Sequence, residues 1–210
     1  MSESDGADAV WTEERAQARG TSAEHATRED GVLAEERREQ SSTASEQVVV
    51  VRRARVGDVR GIKSIIDTYV GKVLLAKELV TLYEDVQEFW VAEVDGELVG
   101  CGGLHVLWED IAEIRSIAVL PDTARLGIGG LLVERLLAVA RDLGLQRVFV
   151  LTFETKFFAR FGFVEIDGTP VSAEVYEQMR RSADEGVAEF LDLPYAKPNT
   201  LGNSRMLLEL

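Results

Sequence analysis

Two groups of residues in this chain have the types and spacing to do chemistry, and they are near neighbours in the sequence. The first is the glycine run ARLGIGGLL, with glycines at 127, 129 and 130 and Arg125 beside them, set between a strand-like and a helix-like stretch. The first N–H groups of a helix lack intrahelical acceptors and sit at the positive end of its dipole. Those of Leu126, Gly127, Ile128, Gly129 and Gly130 can therefore converge on one anion, with Arg125 adding a charge. The second group centres on Glu113 in the stretch IAEIRSIAV, where its neighbours are mostly apolar or small. Low-dielectric surroundings raise a carboxyl pKa toward the range useful for a base. The plain alternatives are a glycine turn with no ligand and a Glu113 that merely pairs with Arg115.

Rival chemistries fail on particular residues. A P-loop ends in Gly-Lys-Ser/Thr, where this chain has Gly130-Leu131-Leu132. A dinucleotide fingerprint needs a third glycine where Leu132 stands, and it belongs to a first strand rather than one following a meander. Cys101 and His105 share a strand face, but four strand residues span about 13 Å, too far for a nucleophile and its base. Cys101, the only cysteine, reads as a small buried residue, and no CxxC or His-rich spacing suggests a metal. The net charge of −14 argues against nucleic acid as a partner. No apolar run approaches the roughly 20 residues that span a bilayer, and the acidic N-terminus lacks signal-peptide features. A soluble, cytoplasmic protein with no membrane partner is expected.

The elements that must position these residues are legible in the hydrophobic pattern. Residues 1–46 have few large apolar side chains and no sustained period, which predicts a disordered acidic tail. From residue 47 to 210 the chain reads as one domain, opening on the β-branched run VVVVRRAR. Asp58 is placed to cap a helix with apolar positions Val59, Ile62, Ile65, Ile66, Tyr69 and Val70. A second helix is expected around 77–86. Strands at 89–94 and 98–107 flank Asp95-Gly96, a tight hairpin dipeptide, and 111–119 continues the meander. A helix over 128–143 ends at Gly144 and leads to a strand at 147–152, so a strand, helix, strand unit should make 111–119 and 147–152 parallel. A short helix at 154–161, a strand at 163–166, a helix at 172–182 and a closing strand at 205–210 complete the prediction.

The AEIRSIAVLPD strand, the RLGIGGLL loop and the later FFARFGF, in this order of elements, resemble the GNAT superfamily of N-acetyltransferases from residue 48 to the end. The resemblance implies an α/β (α+β) GNAT fold: a mixed, mostly antiparallel sheet with a splayed central parallel pair and flanking helices. It implies acetyl-CoA as acyl donor, its pyrophosphate held by the loop and its pantetheine paired with main chain at Ile117, Ala118 and Val119, with Phe158 and Arg160 on the same side. The family's loop pattern begins with Gln or Arg, where this chain has Ala124. Glu113 falls on the position that carries the general base in some relatives. The acyl oxygen would be held by an N–H near Ile117 if the family's β-bulge occurs there. Many relatives place a tyrosine acid before Gly-Phe, and Phe158 stands there instead. A thiol pKa of about 8.5 makes thiolate a tolerable leaving group without it.

The acceptor amine is indicated by charge and by a closer resemblance. Lys72, Lys77, Arg115, Lys156, Arg160 and Arg205 fall in segments able to reach the cleft, which suits an acceptor bearing carboxylates. The bland alternative is a set of solvated helix faces. VLLAKE, EIRSIAV, the tyrosine-less FFARFGF and NSRMLLEL resemble the amino-acid acetyltransferase domain of N-acetylglutamate synthases. That resemblance implies substrate contacts at Lys77, Ser116, Ser204 and Arg205, with Arg115 beside them and Ser116 within the catalytic strand. The expected activity is N-acetylation of L-glutamate, the first step of arginine biosynthesis. Acetylation of another amine and a non-catalytic acyl-CoA sensor are the alternatives, and a homodimer is compatible with either.

Overall fold

The computed structural model describes residues 48–194 and 202–210, all within one compact unit, Gln47–Leu210. The disordered tail expected over residues 1–46 lies outside the described residues. The strands are β1 (Val49–Arg53), β2 (Phe89–Val94), β3 (Glu97–Val106), β4 (Ile111–Val119), β5 (Arg147–Thr152), β6 (Val164–Glu165) and β7 (Ser204–Glu209). The helices are α1 (Val59–Asp67), α2 (Leu79–Glu84), α3 (Ile128–Asp142), α4 (Thr155–Ala159), α5 (Ala173–Met179) and α6 (Glu185–Phe190).

The strands form one seven-stranded mixed sheet in the order β1-β2-β3-β4-β5-β7-β6. Only β4 and β5 run parallel, as the strand, helix, strand unit requires. The β2–β3 hairpin turns at Asp95 and Gly96 with φ of 51° and 86°. Two left-handed residues match a type I′ turn, whose twist suits the flanking strands.

Helical apolar spacing decides which layers form. The α3 side chains Ile128, Leu132, Val133, Leu136, Leu137 and Ala140 are buried along one stripe; on one sheet face Val133, Leu136, Leu137 and Ala140 pack against Ala112, Ile114, Val148 and Val150, and Ile128 and Leu132 against Ala92, Val94 and Val99. Val59, Ile62, Ile65 and Ile66 of α1 pack on the opposite face against Phe89, Val91, Cys101 and Ala118. That face is completed by α5 and α6, which cover Ile111 and Phe149. The rings of Phe149 and Phe190 meet edge to face with centroids 4.9 Å apart. Glu113 and Arg115, alternating with Ala112 and Ile114, therefore emerge on the face that carries α1 and α6.

Several boundaries differ from the sequence reading. Asp58 does not cap α1; its carboxylate accepts the Arg55 N–H at 2.7 Å and ion-pairs with Arg52 at the same distance. The first helix ends at Asp67, and the second is the single turn α2 followed by a 3-10 turn, Val86–Glu88. The α6 helix was not expected, because six residues are too short for a periodic pattern. Asp184 starts it, its carboxylate accepting the Val187 N–H at 3.0 Å.

Two irregularities in the central strands open the site. Pairing of β4 with β5 runs only from Ile111–Arg147 to Glu113–Phe149, after which the strands part. Opposite β3 the register slips between Cys101 and Gly103, and Ser116 takes φ of 58°. This bulge inserts one extra residue in β4 and so reverses its alternation. Before it, the even-numbered Ala112 and Ile114 face α3; after it, the odd-numbered Ile117 and Val119 do. A β-carbon on Gly102 would lie 2.3 Å from Ile117 Cδ1, so this glycine lets Ile117 lie flat over the bulge.

Candidate active site

Where β4 and β5 part, a cavity of about 1430 Å³ opens. Small-molecule sites generally occupy roughly 300–1,000 Å³, so this one has room for a large cofactor and a second substrate together. The glycine loop closes one end. Gly127 caps α3 with φ of 73°, a conformation that costs an ordinary side chain roughly 1–2 kcal/mol. The loop has fewer unspent N–H donors than its sequence suggests. Gly130 spends its N–H on the Gly127 carbonyl at 2.9 Å, which leaves the N–H groups at the tip, Gly127 to Gly129, for a ligand. Leu126 points to solvent, Ile128 is fully buried, and neither side chain lines the cavity. Arg125, Gly127, Gly129 and Gly130 do line it.

Beside the loop stands a cluster of edge-to-face rings, of which the sequence reading named only Phe158, together with Arg160. Phe157 of α4 and Phe161, just past its end, have ring centroids 5.3 Å apart, and Arg160 lies 4.9 Å above Phe157. A β-carbon on Gly129 would touch the Phe157 ring at 3.4 Å. Phe158 lines the cavity from its buried side, where an aromatic hydrocarbon has no proton to donate. Ile117, Ala118 and Val119, where β4 has parted from β5, line the cavity. The Val119 carbonyl, however, already accepts the Tyr69 hydroxyl at 2.5 Å.

At the other end lies Glu113, 5 % exposed, with Oε2 buried and without a hydrogen-bond partner. Desolvation pushes its pKa from an ordinary 4.5 up to about 7, against the opposing pull of Arg115 and His105. A carboxylate so poised is half ionised at neutral pH and has one oxygen open to a proton. Ser116 and Lys77 also line this end. Within 4 Å Lys77 makes no ion pair among the described residues.

Of the basic residues expected to reach the acceptor side, the structure brings Lys77 and Arg115 to the cavity and leaves Lys72 and Arg205 out of it. Arg115 is buried, and its guanidinium is engaged by Glu88 at 2.9 Å, Asp85 at 3.1 Å and Asp184 at 3.2 Å. Its side chain also lines the cavity. Lys72, Lys156, Ser204 and Arg205 do not line the cavity. The Ser204 hydroxyl donates to Glu165 at 3.1 Å, near the edge of the sheet. Arg205 lies over Phe149 and donates to carbonyls of Gly168, Glu189 and Phe190. Asn203, the residue before β7, lines the cavity. Ser204→Ala should therefore leave the KM for the acceptor within about twofold, since an exposed hydrogen bond contributes little; steady-state kinetics with the acceptor varied checks this. No cluster of His, Cys, Asp or Glu able to hold a metal occurs among the described residues.

Comparison with known proteins places this geometry in a family. The acetyltransferase (GNAT) family profile matches residues 65–163. An amino-acid acetyltransferase of Mycobacterium tuberculosis is 68% identical over 164 residues, which cover 77% of this chain and 94% of that protein. One from Enterobacter sp. is 32% identical over 164 residues, but the match covers only 37% of its length. A Mycobacterium tuberculosis crystal structure in complex with CoA and NLQ, 68% identical, superposes with a TM-score of 0.75 over 77% of this chain and 99% of that one. Neisseria gonorrhoeae N-acetylglutamate synthase, complexed with coenzyme A and N-acetyl-glutamate, does so at 25% identity and a TM-score of 0.62, over 80% of this chain and 36% of that one. With the splayed parallel pair, the glycine loop and these relatives in agreement, the chain belongs to the GNAT family of acetyltransferases.

Proposed function

We propose that the chain transfers the acetyl group of acetyl-CoA to the α-amino group of L-glutamate, with Glu113 as general base. The observation that carries the chemistry is the Glu113 carboxyl, buried in the cavity with one oxygen open and its pKa raised to about 7 by desolvation. A glutamate α-amine is mostly protonated at neutral pH, so a base must remove its proton, directly or through water, before it attacks a thioester. The cradle of Gly127 to Gly129 with Arg125 fits the cofactor pyrophosphate, and the gap beside Ile117 to Val119 fits its extended arm. The bulge at Ser116 turns the adjoining N–H out of the β3 ladder, a donor suited to charge developing on the acyl oxygen. As carbon–nitrogen bond formation proceeds, the thiolate departs and takes its proton from solvent, because Phe158 offers none.

Relatives called amino-acid acetyltransferase and N-acetylglutamate synthase support the acceptor class, and the product would enter arginine biosynthesis in the cytoplasm. Lys77 is the cation available for the acceptor's carboxylate. Lys77→Met should raise the KM for the amino acid about tenfold or more, as lost charge-assisted hydrogen bonds do, and leave the KM for acetyl-CoA unchanged. Equal KM values for the amino acid would remove Lys77 from the site.

One observation favours L-glutamine as a second reading. The walls built by α2 and α6 carry Glu78, Glu84, Asp85, Asp184, Glu185 and Glu189 against Lys77 and Arg115. Such a surface disfavours a second acceptor carboxylate and tolerates a neutral amide. Thiol release from acetyl-CoA, measured across the amino acids, decides between them. Turnover of polyamines with no turnover of glutamate or glutamine would overturn the amino-acid assignment.

A further inference from the structure

Three acidic side chains from two separate walls converge on one guanidinium beside the base. Asp85 ends α2 and Glu88 lies in the following 3-10 turn, while Asp184 starts α6 on the other side of β4. All three pair with Arg115 at 2.9–3.2 Å. The first turn of α6 then lies against the base: a β-carbon on Gly186 would sit 3.5 Å from Glu113 Oε2, 3.0 Å from Arg115 Nη1 and 2.9 Å from Asp184 Oδ1. Glycine is what lets this backbone approach so closely.

We infer that Arg115 is a positioning residue whose guanidinium clasps α2 and α6 together over Glu113, shaping the acceptor pocket and setting the charge that the base feels. The inference rests on the assignment of Glu113 as the base. A planar fork suits the task, because Arg115 Nη1 faces Asp184 while Nη2 faces Asp85 and Glu88. A buried charge network of this kind is strongly destabilised by the loss of one partner, so both walls depend on it. The charged and titratable groups around Glu113 are Arg115 of β4, His105 directly opposite on β3, Lys77 and Asp85 at either end of α2, Glu88 beyond it, and Asp184 and Glu189 of the α6 segment. Arg115 is the strongest of these influences on Glu113, and it favours the ionised form.

The test compares Arg115→Gln, Arg115→Lys and Asp184→Asn with the unaltered full chain, reading kcat and both KM values against pH. In Arg115→Gln the acid limb of kcat/KM for the amino acid should move up by roughly one pH unit, and the KM for the amino acid should rise about fivefold or more. Arg115→Lys should return the limb to its original pH, since the charge is restored, but not the KM, since one ammonium cannot fork to both walls. Asp184→Asn keeps the helix cap and Arg115 while removing one arm of the clasp. It should raise the KM for the amino acid with the limb in place and the KM for acetyl-CoA unchanged. Arg115→Gln with both the limb and the KM of the unaltered chain overturns the inference; if that variant does not fold, an unaltered KM for the amino acid in Asp184→Asn does so. Failure of the underlying reading looks different: Glu113→Gln would keep both its rate and its acid limb.

Discussion

Glu113→Gln should lower kcat by about 10²-fold or more while leaving acetyl-CoA binding intact, the loss expected when a positioned base is removed. The amide keeps the size of the side chain but cannot accept a proton. The same substitution should also change stability in a pH-dependent way. Folding raises the Glu113 pKa from 4.5 to about 7, so the folded state binds more protons than the unfolded state between those values. Stability therefore falls as pH rises through that window, by about 3 kcal/mol at full ionisation. The neutral amide carries no such penalty. The variant should be more stable than the parent at pH 8 and nearly equal to it near pH 4, as chemical denaturation at the two pH values would reveal. A catalytic residue held at a cost to the fold gives this signature, and a Glu113 that served only as an ion-pair partner of Arg115 would give the opposite one.

Gly127→Val has the second largest expected effect. At φ of 73° a β-branched residue is strained, and the relief of that strain would rotate the N–H groups of the cradle. The kcat/KM for acetyl-CoA should fall about tenfold or more, as expected when a residue cannot keep its φ without a cost of roughly 1–2 kcal/mol and a charged hydrogen bond is also lost. The KM for the amino acid should stay near its original value, because Lys77 and Glu113 belong to the other end of the cavity. Initial-rate kinetics with each substrate varied separates the two; equal losses on both sides would mean a global defect instead of a cofactor site.

What could be read in advance was whatever is written in local pattern. The α3 stripe, the Asp95-Gly96 turn and the glycine loop announce themselves within a few residues, and the parallel β4–β5 pair follows from the helix between them. Glu113 was legible because a carboxylate in an apolar strand is conspicuous. The acceptor side was not. Its walls come from α2 and α6, six-residue helices too short to show a period, and their carboxylates reach Arg115 only through tertiary packing. Arg115 and Arg205, read from sequence as residues able to reach an acceptor carboxylate, are committed, one to three acids and the other to backbone carbonyls. The bulge at Ser116 left only an indirect mark, the glycine at 102 that makes room for Ile117. Phe157 and Phe161 had a visible signal in their spacing of four, which brings the two rings together across the end of α4, with Phe158 turned toward the core.

The most direct test of Glu113 as the general base of an amino-acid acetyltransferase is the pH dependence of kcat/KM for glutamate and glutamine, in the unaltered chain and in Glu113→Gln. A base must be ionised to act, so the account predicts a rate that rises with pH through an inflection near 7, set by the Glu113 carboxyl. That inflection should be absent from the residual activity of Glu113→Gln. An inflection that persists unchanged in the variant, at an undiminished rate, would contradict it.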